Sequence, residues 1–270
     1  MKPLLRLLLT IAVALALQLA HLKEPHSFIN FASAGGIALA MARYWGWDVR
    51  GVPAIDLALP LWTTFCIYAT FSYHAANVHS AYDLYLLAWD QRLGFTWGVG
   101  RAFARCSPFE IVCGVTYAML PLALAALYLM MPKPGERARM WWSTIVAALV
   151  VNTCFHICPA VGPRYAFPGS WPWHEPHMLH PVLIRTTDAI NAMPSGHFLG
   201  ALLMYWFSRQ CRWQVHVGFA VFTALTALAT VGLGEHYLVD LIAAIPFAAA
   251  IYYSMHLRIP RALRISGGAK

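Results

Sequence analysis

Asn191 to Leu203 reads NAMPSGHFLGALL, and further along Gly232 to Ala244 reads GLGEHYLVDLIAA. Each stretch sets a histidine at the mouth of an apolar segment, His197 after a Pro-Ser-Gly turn and His236 after a Gly-x-Gly turn. What those segments are decides the fold. Of the 270 residues, 60% are hydrophobic and 11% charged, whereas a soluble domain carries about 25% charged residues. The segments therefore read as membrane spans, and the chain as an all-α, polytopic membrane helical bundle.

A spanning helix takes roughly 20 mostly apolar residues. Runs that qualify lie at 4–20, 28–45, 53–72, 109–131, 140–159, 193–208, 213–232 and 237–255. They imply about six to eight transmembrane helices, the last six forming a catalytic core. Residues 1–50 are expected to be N-terminal anchor helices, 51–258 the catalytic membrane domain, and 259–270 a basic cytoplasmic tail. The first run reads as a retained anchor, because no clear small-x-small cleavage site follows it.

With the N-terminus inside, thirteen of the 19 Lys and Arg residues fall on the inner side. The positive-inside rule thus sets both termini inside. The expected location is a bacterial inner membrane, with the histidine-bearing ends facing the periplasm. The net charge of +8 is spent on topology, and no nucleic-acid partner is expected.

Two stretches do not span. Tyr82, Tyr85, Leu86, Trp89 and Leu93 recur at helical spacing, interrupted by Asp83, Asp90 and Arg92. They predict an amphipathic helix in the outer interface. The loop 161–190 is rich in Pro, Trp and His. Its His174, His177 and His180 alternate with Pro172, Pro176 and Pro181, which favours a lipid-facing loop over a metal site. The six cysteines form no Cys-x-x-Cys knuckle. Cys154, His156 and Cys158 point to different faces of a helix. Neither metal nor cofactor is expected, and a Cys106–Cys158 disulfide is left open.

In this topology Arg164, His197 and His236 share one depth at the outer boundary. Ionisable groups at membrane depth are costly and mark functional sites. Two histidines can divide a phosphoryl transfer, one attacking phosphorus and one protonating the leaving oxygen. His236 and Asp240, four apart, share a helix face, so the carboxylate can orient the imidazole. Arg164 can clamp phosphate oxygens. Ser195 and Gly196 offer a hydroxyl and backbone N–H groups at a helix N-terminus, where anions are favoured.

These residues resemble the type 2 phosphatidic acid phosphatase superfamily of membrane lipid phosphatases and phosphotransferases. Its Pro-Ser-Gly-His motif is matched in full by Pro194, Ser195, Gly196 and His197. Its last motif is matched only in the His-x-x-x-Asp half, by His236 and Asp240, because Ala229 and Thr230 occupy the Ser-Arg positions. Of its first motif only Arg164 survives, with Ile157 at the lysine position and Tyr165 after the arginine. The resemblance implies His236 as phosphohistidine nucleophile, Asp240 as its orienter and His197 as general acid. It also implies phosphate binding by Arg164, Ser195 and Gly196, with Arg185 as a substitute for a missing cation. "YDLYLLAWDQRLGF", followed by "VGPRY", is closer to the inositol phosphorylceramide synthase-like branch, which moves a phospho-headgroup between lipids. The expected partners are a lipid phosphate, an acceptor lipid alcohol and the surrounding membrane lipids. Phosphatase and headgroup transferase stand as two enzyme readings, and a non-catalytic lipid carrier as a third.

Overall fold

The computed structural model describes residues 79–176, 182–186, 188 and 190–257. The expected spans 4–20, 28–45 and 53–72 and the basic tail lie outside them, as do His177 and His180. Among the described residues, a two-stranded antiparallel ribbon pairs β1 (His79–Ala81) with β2 (Ile184–Thr186), placing Ser80 opposite Arg185. Between the strands run α1 (Asp83–Leu93), α2 (Thr96–Arg105), α3 (Ser107–Ala118), α4 (Leu120–Met130), α5 (Pro134–Ile157) and the single turn α6 (Pro163–Ala166). After β2 come α7 (Gly196–Ser208), α8 (Trp213–Gly232) and α9 (Leu238–His256).

Three of these helices, α5, α8 and α9, are long and apolar enough to cross a bilayer. Their outward faces carry Leu149, Val221 and Ile245, all exposed. A continuous apolar exterior suits lipid, not water, and the chain is an integral membrane protein. Inside, α5, α7 and α9 pack through Ala147, Val151, Leu199, Leu203, Ala244 and Ala248. Small residues let these backbones approach where lipid removes the hydrophobic driving force. The Thr223 hydroxyl on α8 donates to the Ala201 carbonyl of α7 at 3.0 Å, tying those two helices.

Two expected spans take another form. The run 109–131 is not one helix but α3 and α4, bent by 54° at Met119. Pro121 lies in the first turn of α4, where its missing N–H and ring cannot continue a straight ladder. The run 193–208 yields α7, whose 13 residues reach only about 20 Å, short of the ~30 Å hydrocarbon core. The Pro194–Ser195 turn delays its start, and Ser195 caps it by accepting the Phe198 N–H at 3.3 Å.

The interfacial segment does form a helix, but its faces differ from the expectation. Asp83, Leu84, Leu86, Leu87 and Asp90 are buried, while Tyr82, Tyr85, Trp89 and Leu93 are exposed. The carboxylates belong to the inner face, and the aromatic stripe forms the outer one. The Trp-rich loop is also partly internal. Trp171 packs edge-on against Trp97, their ring centres 5.1 Å apart, in a cluster with Leu84, Leu87 and Tyr237. Cys106 and Cys158 are both free thiols.

Candidate functional site

His236 sits in the turn between α8 and α9. The Thr230 carbonyl accepts the N–H groups of Glu235 and His236 at 3.1 and 3.0 Å. Gly234, with φ +76°, lets the chain reverse there. The His236 ring is 3% exposed, and its Nδ1 lies 2.7 Å from the Ala192 carbonyl oxygen. A carbonyl only accepts, so Nδ1 carries the hydrogen and Nε2 keeps its lone pair. Asp240 Oδ2 lies 3.6 Å from the same Nδ1 and accepts the Tyr237 N–H at 2.8 Å. The carboxylate therefore closes the first turn of α9 and faces the imidazole electrostatically, while Ala192 sets the tautomer.

The second histidine is tied to the first by backbone. Ser195 donates its N–H to the Asp240 carbonyl at 3.2 Å and is fully buried. This joins the mouth of α7 to the first turn of α9. His197, in the first turn of α7, stacks on Tyr117 with ring centres 3.8 Å apart and planes inclined by 18°. Tyr117 reaches it because α3 ends there, beside the bend at Met119. His197, His236, Gly196 and Asn191 line one cleft between α4, α5 and α7.

Arg164 is brought to the His236 turn by its backbone. Gly162 adopts φ +89°, and a Cβ there would fall 2.2 Å from the Glu235 carbonyl oxygen, so only glycine permits this approach. Arg164 then donates its backbone N–H to Gly234 at 3.0 Å, and the Tyr165 hydroxyl donates to Glu235 Oε1 at 3.0 Å. The Arg164 residue is exposed, two positions across from His236. Arg185 is not brought in. It is exposed on β2 opposite Ser80, and no hydrogen bond or ion pair among the described residues joins it to the histidines. Thr230, at the motif's arginine position, is buried and gives its hydroxyl to the Ala227 carbonyl. Ile157, at the lysine position, is exposed.

Sequence reasoning missed the groups that hold this site together. Asp83 accepts the Val161 N–H at 3.1 Å, the Gly162 N–H at 3.0 Å and the Tyr237 hydroxyl at 3.1 Å. One carboxylate thus ties the Arg164 segment to the residue after His236. Burial pushes its carboxyl up to about 6, against the opposing pull of those donors. Asp90 accepts the Leu238 N–H at 2.7 Å, shared with Thr96 Oγ1 at 3.1 Å. It thereby caps the N-terminus of α9 from another helix, where a negative charge is favoured. Its carboxyl is raised too, again chiefly by burial. The readable signal was spacing: 83, 87 and 90 fall on one helical face.

Such a bundle, with His197 and His236 lining one cleft and Arg164 held by its backbone beside the His236 turn, is that of a helical membrane protein. The PAP2 superfamily profile matches residues 84–254, well over half the chain, and the chain belongs to that superfamily. Phosphatase or phosphotransferase chemistry is the general type of function that comes with it. Comparison with curated proteins and with solved structures gave no match.

Proposed function

We propose that the protein transfers the phosphoryl group or phospho-headgroup of a lipid phosphate ester at the extracytoplasmic face, through a phosphohistidine on His236. The observation that carries this reading is the Nδ1–H bond of His236 to Ala192, which leaves Nε2 as the ring's free lone pair in a cleft shared with His197. Nε2 attacks phosphorus, the P–N bond forms, and the P–O bond to the lipid breaks. His197, taking up a proton together with the anionic ester as it binds, gives that proton to the departing alkoxide. The phosphorylated His236 ring is cationic, and Asp240 at 3.6 Å offsets that charge. Arg164 holds the non-bridging oxygens, and Gly196 at the helix mouth supports the anion.

In the second half, water or an alcohol gives its proton to His197 and its oxygen attacks phosphorus as the P–N bond breaks. The apolar cleft behind the histidines favours an acceptor that dissolves in it, a lipid alcohol, as in the inositol phosphorylceramide synthase-like branch. Ser195 acts mainly through its cap, and Arg185 through the ribbon. Reaction with a lipid phosphate carrying a labelled phosphorus, quenched in alkaline detergent where the P–N bond survives, tests the scheme. Wild type is expected to trap label on protein and His236→Ala none, with free phosphate marking hydrolysis and a new phospholipid marking transfer. Equal turnover in the two proteins would refute the phosphohistidine.

A further inference from the structure

The cleft does not stop at the histidines. Its top lies where Gly196 meets Val151, an added Cβ falling 3.3 Å from Val151 Cγ1. From there it descends along α7 to Met204 and along α5 to Met140, distances of about 12 and 16 Å at 1.5 Å per residue. Its one hydroxyl below the rim, on Thr144, donates to the Met140 carbonyl at 3.0 Å. No polar group in that wall is left to hold water. The bottom is closed, because Met140 and Met204 are 1% exposed and belong to a buried cluster with Leu127 and Phe207.

Halfway down, about 6 Å below the top on each helix, the wall is made of Gly200 and Ala147. A Cβ on Gly200 would meet Leu120 at 3.6 Å, ordinary contact, so these small side chains leave a waist open without straining the backbone. The depth approximates one leaflet, about 15 Å of a ~30 Å core.

We propose that this cleft is a hydrocarbon-chain channel with a closed floor, which seats a chain of the phosphate ester beneath His197 and His236 and measures its length, Gly200 and Ala147 setting the waist. The proposal rests on the phosphoryl-transfer reading, because the channel mouth is the histidine pair. Its occupant is a hydrocarbon chain, since the walls offer contact and no free hydrogen-bonding group, and the mouth is where the ester phosphate would sit.

The test uses full-length protein in nanodiscs and monomeric alkyl phosphates of increasing length, with geranyl and farnesyl phosphates as a branched arm. In wild type, kcat/KM is expected to rise about fourfold per methylene, the ratio given by about 0.8 kcal/mol per buried CH2. The rise should stop once the chain reaches Met140 and Met204. In Ala147→Phe the rise should stop at about half the length, with unfolding temperature and size-exclusion profile reporting the fold. Gly200→Val, whose added Cβ meets only ordinary contact, repeats the test if the ring overpacks the helix seam. A better fit of the branched esters would assign the channel to isoprenoid chains, and of the straight esters to acyl or alkyl chains. A rise with the same end point in both proteins would overturn the channel while leaving the chemistry standing. Alkyl phosphonate binding is measured alongside. If no ester turns over yet phosphonate binding shows the two breaks, the channel stands and the reaction falls. If turnover and binding both ignore length, the channel falls.

Discussion

Replacing Asp83 separates its charge from its hydrogen bonds. Its carboxyl is fully buried and lifted from the ordinary 3.8 to about 6. A difference of that size corresponds to about 3 kcal/mol between the protonated and ionised protein. The folded pKa lies above the unfolded one, so the folded state holds the proton more tightly. Stability from this group is therefore greatest below about pH 4, falls as pH rises to about 6, and is level above that. Asp83→Asn keeps Oδ1 as acceptor for the Gly162 N–H and the Tyr237 hydroxyl, leaves Val161 only its longer 3.3 Å bond to that oxygen, and buries an amide N–H with no acceptor. One buried donor left without an acceptor costs about 1–3 kcal/mol, comparable to the burial penalty that the substitution removes. Asp83→Asn should thus unfold near the wild-type temperature at pH 7 and show a shallower fall between pH 4 and 6, Asp90 keeping its own share. Asp83→Ala abandons all three donors, each costing about 1–3 kcal/mol, and releases the Gly162–Arg164 segment. It should unfold well below wild type and lose at least about tenfold in turnover, equivalent to 1.4 kcal/mol of barrier. Thermal unfolding from pH 4 to 8 and steady-state turnover read both effects. An Ala variant as stable as wild type, or an Asn variant with the wild-type pH slope, would refute the reasoning.

Gly162→Ala must accommodate both φ +89° and a 2.2 Å approach to the Glu235 carbonyl; a loss of about 2–3 kcal/mol is expected, visible as a lower unfolding temperature. Asp240→Asn leaves the Ala192 carbonyl to hold the His236 tautomer, so phosphoenzyme formation should slow by about a hundredfold, not the ~10⁴ of a wrong tautomer. Rapid-quench kinetics measure this, and a loss as large as that of His236→Ala would contradict it. Tyr117→Leu removes the ring stacked on His197; kcat should fall with KM nearly unchanged, while stability drops by only about 0.5–1.5 kcal/mol. Asp90→Ala strips the cap from α9 and should cost about 1–3 kcal/mol of stability, read from the same unfolding curves.

Which features could be read from the chain follows from how far apart the interacting groups lie. Pro194, Ser195, Gly196 and His197 are contiguous, and His236 and Asp240 share one turn, so their juxtaposition needs only helical spacing. The spans α8 and α9 were legible because, beyond the first turn of each, no Asp, Glu, Lys or Arg interrupts an apolar run of sufficient length. The bend at Met119 was not, although Pro121 was visible, because a proline near a helix start is compatible with both a cap and a break. Asp83 and Asp90 were misread for a deeper reason. Read locally, a carboxylate inside an amphipathic segment is an interruption that belongs on the wet side. In a fold bounded by lipid, the backbone at irregular turns has no water to bond to, and a buried N–H must find an acceptor somewhere in the chain. The turn at Val161–Gly162 and the start of α9 are two such places. The acceptors come from α1, which lies 78 and 148 positions away in sequence. A carboxylate that breaks an apolar helical face in a membrane chain is therefore better read as a request for distant backbone donors. Here the irregular turns beside His236 and Arg164 are the segments that needed them.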